Sequence, residues 1–385
     1  MAKNRQTIMI VAGESSGDTH AAKLVNALRE TSGGVELEFF GAAGPKMRAA
    51  GVEPTVESDA LSIVGLLEIG KALPMFLGAF RRLKNAAKAK KPSVVILVDF
   101  PDFNMKLAKS LKKQGHTVVY YISPQLWAWR KYRISTIRKY VDLLISILPF
   151  EKEWYAKHGV DNVEYVGSPL AREVHSDISK EEFCQKHGLD PQIPIVSLLP
   201  GSRHAEISRI LPDLLRTAES MHERGKDIQF IIALPTGKLE KISGDHRKTG
   251  WLSWIEGETY DALNASDAAA ITSGTATLEA GIIGTPMAIV YKTSATNYKL
   301  LRPLIDVEHF GLINLIADER VANEFIQDDF TPETLGAELE RILKPAENIR
   351  VRDQLKAATD KLGHGGASKR AAEAILRIID EKNDR

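Results

Sequence analysis

The chain has 385 residues, with 51 Lys and Arg against 50 Asp and Glu, 44% hydrophobic residues and a single cysteine, Cys184. That length accommodates two or three domains, each able to bury its own core. The near balance of charge argues against a protein that binds polyanions over its whole surface, and one cysteine excludes both an intrachain disulfide scaffold and a cysteine-built zinc cluster.

The apolar run Ile8 to Ala12 is too short for a signal-peptide core, so it reads as the end of a buried first strand, Thr7 to Ala12. The loop Gly13-Glu14-Ser15-Ser16-Gly17-Asp18 and a helix through Ala21 to Glu30 follow. Leu37 to Phe40, Val94 to Val98, Thr117 to Ile122 and Leu143 to Leu148 repeat the strand pattern, with helical stretches between them. Such alternation predicts a parallel sheet with crossover helices over residues 1–167. A second α/β unit, residues 168–345, is expected from strands at Val196 to Leu199, Gln229 to Ala233, Ala268 to Ile271 and Met287 to Val290, with a less regular one at Trp251 to Glu256. Residues 346–385 read as helices, broken at Gly363 to Gly366, that either close the second domain or cross back to the first. No stretch of 18 apolar residues occurs, so membrane contact would be peripheral.

Ligands of open parallel sheets bind beyond the carboxyl ends of the strands, which singles out four loops. Gly13, Glu14 and Ser16 lie where backbone N–H groups can meet an anion or a sugar hydroxyl, although a plain turn fits as well. Asp99 ends an apolar strand, where packing has no use for a carboxylate; with Asp102 and Asn104 it can orient or deprotonate a hydroxyl. Asp102 as a mere helix cap is the alternative. The Asp99–Asp102 spacing suits a metal only with further ligands, and none lies nearby in sequence. Gly201, Ser202 and Arg203 form a tight loop before a helix, fit for a phosphate or diphosphate. Ser273, Gly274, Thr275 and Thr277 repeat that logic, and Glu279 can accept ribose hydroxyls or sit on a solvated face.

Two segments stand apart. Ser123 to Arg133 mixes Trp127, Trp129 and Tyr132 with Arg130, Lys131 and Arg133, a blend that can stack bases; the charge balance disfavours nucleic acid as a partner. Leu66, Leu67, Ile69, Leu73, Met75, Phe76, Leu77 and Phe80 precede Arg81 and Arg82, and Pro74 is expected to interrupt the helix. That grouping suits an acyl chain and an anionic bilayer surface, or else a dimer interface or plain core.

Read together, VAGESSGD (Val11 to Asp18), PDFN (Pro101 to Asn104), ISPQLWAWR (Ile122 to Arg130), LPFEKEWY (Leu148 to Tyr155), LLPGSRHAEI (Leu198 to Ile207), TSGTATLEA (Thr272 to Ala280) and LGHGGASKRAA (Leu362 to Ala372) resemble the lipid-A-disaccharide synthases, glycosyltransferase family 19. The resemblance runs through nearly the whole chain in the family's order. It implies an α/β protein of GT-B fold, two Rossmann-like domains facing a cleft, with C-terminal helices crossing back or swapped. It also implies an inverting enzyme that joins UDP-2,3-diacylglucosamine to 2,3-diacylglucosamine 1-phosphate (lipid X) without metal or other cofactor. The expected place is the cytoplasmic face of the inner membrane, with homodimer formation through the C-terminal region compatible. By the same resemblance Asp99 is the general base, Arg203 the essential arginine, and Glu279 and Asn314 lie at the nucleotide. Around Asn314 the chain departs from the pattern, with Ile313 where the family has proline. A UDP-sugar epimerase and a non-catalytic nucleotide-binding protein are the competing classes.

Overall fold

The computed structural model describes residues 5–59, 69–242, 250–294, 296, 298–299, 307–363 and 365–383. The chain divides into two units, residues 1–169 with 365–385, and residues 170–364.

In the first unit β1 (Arg5–Ala12), β2 (Glu36–Ala43), β3 (Val52–Glu57), β4 (Val94–Val98), β5 (Val118–Tyr121), β6 (Leu143–Ser146) and β7 (Val163–Tyr165) form one sheet in the order β3-β2-β1-β4-β5-β6-β7. Every ladder is parallel. Alternate residues of a strand point to opposite faces, and here both faces are covered. Ile8, Ile10 and Ala12 pack under helices Ser15–Thr31 and Ala367–Asn383, whereas Met9 and Val11 pack under helices Ile69–Lys90 and Pro101–Lys112. That double burial is why Val94 to Val98 carries no polar residue.

The second unit repeats the plan with β8 (Ile195–Leu199), β9 (Gln229–Leu234), β10 (Leu252–Glu256), β11 (Ala268–Thr272), β12 (Met287–Tyr291) and β13 (Glu324–Ile326), all parallel, in the order β10-β9-β8-β11-β12-β13. Helix Pro345–Asp360 packs on helices Thr275–Ile283 and Leu312–Ala317 of this unit, and Ala367–Asn383 lies along Ser15–Thr31 of the first.

In each sheet the strand order reverses once, between β1 and β4 and between β8 and β11. Loops leaving those paired strands diverge and open a crevice, the position where doubly wound sheets take ligands. All four loops singled out in the sequence follow these four strands.

Three strands were not expected from the sequence: β3, β7 and β13, each at the edge of its sheet. Edge strands are half covered, so they lack the continuous apolar run, and β3 even holds Pro54. Helix Ile69–Lys90 runs through Pro74 rather than stopping there. Proline costs a helix one backbone hydrogen bond and crowds the carbonyl four residues back; here that residue is Gly70, and Pro74 faces solvent. Among the described residues no helix is long and apolar enough to cross a membrane.

Candidate active site

The register Ala12↔Val98 brings the ends of β1 and β4 together, so Gly13 and Asp99 leave the sheet side by side. Asp99 and Phe100 both adopt left-handed backbone conformations, φ 46° and 52°. Two such non-glycine residues in succession cost of order 1–3 kcal/mol each and persist only where the surroundings hold them. Here the holding groups are explicit. Asn104 Nδ2 donates to the carbonyls of Val98 (3.1 Å) and Asp99 (2.8 Å), and the Tyr120 hydroxyl donates to the Asp99 carbonyl at 2.7 Å. The Phe100 ring lies over Gly13, where a Cβ would overlap it. Phe103 and Phe76 pack against the Phe100 ring at centroid separations of 5.6 and 6.3 Å. Thus the turn is rigid, and it carries a carboxylate in an apolar setting. Burial, reinforced by the neighbouring Glu14 carboxylate, pushes Asp99 up to about 6.

Other members of this loop set have different roles. Asn104 is fully buried and its amide serves the Asp99 backbone, so it positions the carboxylate and does not face a ligand. Asp18 takes the backbone N–H groups of Gly44 (2.9 Å), Lys46 (2.8 Å) and Met47 (3.1 Å), holding the start of the helix after β2. Glu14 and Ser16 are exposed. Asp102 opens helix Pro101–Lys112 and accepts from Arg130 and Arg133. Glu151 lies in the LPFEKEWY segment, where nothing local sets it apart from Glu153. The Glu151 carboxyl is buried beneath the Ser123 to Arg130 loop, accepts from Trp127 Nε1 at 3.0 Å, and is pushed up to about 7 by that burial.

In the second unit the register Leu199↔Ile271 likewise sets the Pro200 and Ser273 loops side by side, and Thr272 Oγ1 donates to the Leu199 carbonyl at 2.9 Å. They wall a cleft of ≈ 700 Å³. Gly201, Ser202 and Arg203 face it from one side, Ser273, Gly274, Thr275 and Glu279 from another, and Thr236 and Tyr260 complete it from the ends of β9 and β10. Glu206 fixes the Arg203 loop: its carboxylate accepts from the N–H groups of Ser202 and Arg203 (3.2 Å each) and from Arg203 Nη1 at 2.9 Å. Gly201, at φ +109°, has no room for a Cβ beside that carboxylate. Tyr260 donates its hydroxyl to Glu279 Oε1 at 3.2 Å, while burial holds Glu279 above the usual carboxylate range.

Two expected nucleotide residues turn away from this cleft. Thr277 is fully buried and its hydroxyl donates to the Gly274 carbonyl at 2.8 Å, closing the helix start. Asn314 is also fully buried: its amide donates to the Ala322 carbonyl (2.7 Å) and Glu324 Oε1 (2.9 Å) and accepts from Ala322 N (2.9 Å). Every hydrogen-bonding atom of Asn314 is engaged in pinning the chain after helix Leu312–Ala317. Glu206 carried half a signal: it sits where a capping box has its glutamate, but Arg203 stands at the cap in place of Ser or Thr. Tyr260 had no comparable signal.

The apolar patch divides between core and surface. Met75, Phe76 and Phe80 pack against the core behind the Asp99 turn, with Phe80 edge-on to Phe103. Leu73 and Leu77 are 56% and 49% exposed, beside the exposed Arg81 and Arg82. Leu66, Leu67 and the Ile69 side chain lie outside the described residues. No group of three or more His, Cys, Asp or Glu side chains among the described residues is placed to hold a metal ion.

Two doubly wound parallel units, each with a polar site at its switch point, define the class of α/β proteins that take ligands at the carboxyl edges of their sheets. Solved structures agree on the fold. A UDP-GlcNAc 2-epimerase from Neisseria meningitidis bound to UDP-GlcNAc superposes with a TM-score of 0.61 at 11% identity, covering 97% of this chain and 99% of that one. The calicheamicin glycosyltransferase gives 0.59 at 13% identity, covering 98% and 99%. The family model described as lipid-A-disaccharide synthetase matches residues 8–379. A lipid-A-disaccharide synthase of Syntrophus aciditrophicus is 42% identical over 385 residues, covering 99% of this chain and all of its own. The chain therefore belongs to the lipid-A-disaccharide synthase family, and it is a glycosyltransferase of GT-B fold.

Proposed function

We infer that the protein transfers 2,3-diacylglucosamine from UDP-2,3-diacylglucosamine to the 6-hydroxyl of 2,3-diacylglucosamine 1-phosphate with inversion, releasing UDP and a β-1,6-linked disaccharide 1-phosphate. Family membership supports these substrates. The observation that supports the chemistry is Asp99, a carboxylate held in a left-handed turn with its proton affinity raised to the value a base near neutral pH needs.

In this reading Asp99 accepts the proton of the acceptor hydroxyl as its oxygen attacks the anomeric carbon. The bond from that carbon to the diphosphate oxygen breaks on the opposite face, and UDP leaves with the electron pair. Charge developing on the diphosphate meets the positive ends of helices His204–Glu223 and Thr275–Ile283 together with Arg203. Glu206 keeps the Arg203 loop in shape, and Glu279, oriented by Tyr260, accepts the ribose hydroxyls.

Leu73, Leu77 and Arg81 follow one another at four-residue intervals and so share a stripe of helix Ile69–Lys90. That stripe docks the protein on the anionic cytoplasmic surface of the inner membrane, leaving Met75, Phe76 and Phe80 to support the Asp99 turn. The test of the reaction is UDP release from UDP-2,3-diacylglucosamine with and without the acceptor. Release that depends on acceptor supports transfer; acceptor-independent conversion of the donor would align the chemistry with the epimerases instead.

A further inference from the structure

The basic and aromatic segment after β5 has no part in the chemistry above. Resting on that reading, we propose that Arg130 and Arg133 bind a phosphomonoester, the anomeric phosphate of the acceptor, and so hold the acceptor with its 6-hydroxyl at Asp99.

The two guanidinium groups converge on one oxygen. Asp102 Oδ1 accepts from Arg130 Nη1 at 2.9 Å and from an Arg133 Nη. One carboxylate against two cations leaves a net positive charge at the cluster. Exposure of the side chains is 32% for Arg130, 20% for Arg133 and 67% for Asp102, and ion pairs this open to water add little to stability. The arrangement is nevertheless held in place. The Arg130 guanidinium lies 3.9 Å from the centroid of the Trp129 ring, and the Arg130 backbone is left-handed at φ 58°. The loop beneath is pinned by Trp127 on the buried Glu151 and by the Tyr155 hydroxyl on the Pro124 carbonyl, at 3.0 and 2.6 Å. A rigid, partly desolvated pair of planar forks with unbalanced charge matches a phosphate dianion, which takes bidentate hydrogen bonds from arginine.

Position makes the same point. Asp102 stands three residues beyond Asp99, in the first turn of the helix that opens after it. Arg130 and Arg133 follow β5, the neighbour of β4 in the sheet, and Tyr120 of β5 bonds the Asp99 carbonyl. The cations and the base therefore share one corner of the sheet's carboxyl edge. In an acceptor of this class the phosphate sits on C1 and the nucleophilic hydroxyl on C6 of a single pyranose, C1 and C5 flanking the ring oxygen, so both groups must be held within the width of one sugar. Arginines beside the base also offset the dianion, whose charge would otherwise disfavour the Asp99 carboxylate.

The experiment compares the wild type with an Arg130→Gln/Arg133→Gln double variant on 2,3-diacylglucosamine 1-phosphate and on 2,3-diacylglucosamine without the phosphate, both in detergent. The double variant is expected to show a KM for the phosphorylated acceptor raised by about tenfold or more. Its preference for the phosphorylated over the unphosphorylated acceptor is expected to collapse, with UDP affinity changed by less than about twofold. Arg133→Lys, which keeps the charge and loses the fork, should fall between and covers the case in which the double variant does not fold. A double variant that still discriminates the two acceptors as the wild type does would overturn the proposal. So would one whose KM is unchanged while its binding to phosphatidylglycerol vesicles is lost, because the cations would then face a lipid headgroup. A wild type that makes no disaccharide from either acceptor would refute the transferase reading itself.

Discussion

Replacing Asp99 by Asn tests the electrostatics of the base through stability as well as activity. In the folded protein burial and Glu14 raise the carboxyl from 3.8 to about 6. At 1.36 kcal/mol per pH unit this difference disfavours the folded carboxylate by about 3 kcal/mol. Between pH 3.8 and 6 the folded state binds more protons than the unfolded chain, so stability falls as pH rises through that window and stays lower above it. Asn carries no charge and, like Asp, tolerates the left-handed backbone that position 99 requires. Asp99→Asn should therefore stabilise the protein at pH 8 by about 1–3 kcal/mol, a rise in unfolding temperature of about 2–4 °C per kcal/mol. The gain should fade to near zero at pH 4, while transfer is abolished at every pH and UDP still binds. The assay is thermal unfolding of both proteins at the two pH values, beside single-turnover kinetics. A variant less stable at pH 8, or one whose advantage is the same at pH 4 and pH 8, would refute the assignment of a raised proton affinity to burial.

Further outcomes are expected. Asn104→Ala removes the two amide hydrogen bonds to the Asp99 turn and leaves the Asp99 carbonyl only its bond from Tyr120; it should cost about 1–3 kcal/mol in urea unfolding and lower kcat more than it raises KM. Arg203→Ala should weaken UDP more than uridine, and Glu279→Gln should erase the preference for UDP over 2′-deoxy-UDP, both measured by calorimetry. Leu73→Ser with Leu77→Ser should reduce binding to phosphatidylglycerol vesicles without loss of stability, because both leucines are half exposed, whereas Phe76→Ser should destabilise the protein through its contacts with Phe100 and Phe103.

The central strands were legible because parallel strands covered on both faces are apolar nearly throughout, as Val94 to Val98 is without exception and Ile195 to Leu199 is but for Ser197. The edge strands were not, since Val52 to Glu57 buries only Val52 and Val56 and ends in a charge. Polar residues in the loops and helix starts after the central strands, Asp99, Arg203 and Glu279, could be picked out because such positions face the crevice. What sequence did not disclose is where a polar side chain spends its hydrogen bonds. Asn104, Thr277 and Asn314 belong to the same motifs as their neighbours, yet each turns inward to satisfy backbone groups. Tyr260 and Glu151 act through contacts between segments distant in sequence, 19 and 24 residues apart, which no local pattern encodes. In the apolar patch the same limit applies: spacing alone did not separate Phe76 and Phe80, which support the Asp99 turn, from Leu73 and Leu77, which face solvent.

The most direct test of the chemistry is proton NMR of the product formed from UDP-2,3-diacylglucosamine and 2,3-diacylglucosamine 1-phosphate. A β-1,6-linked disaccharide 1-phosphate in amounts equal to the UDP released is the predicted result; an α linkage, or UDP released without disaccharide, would contradict single displacement driven by Asp99.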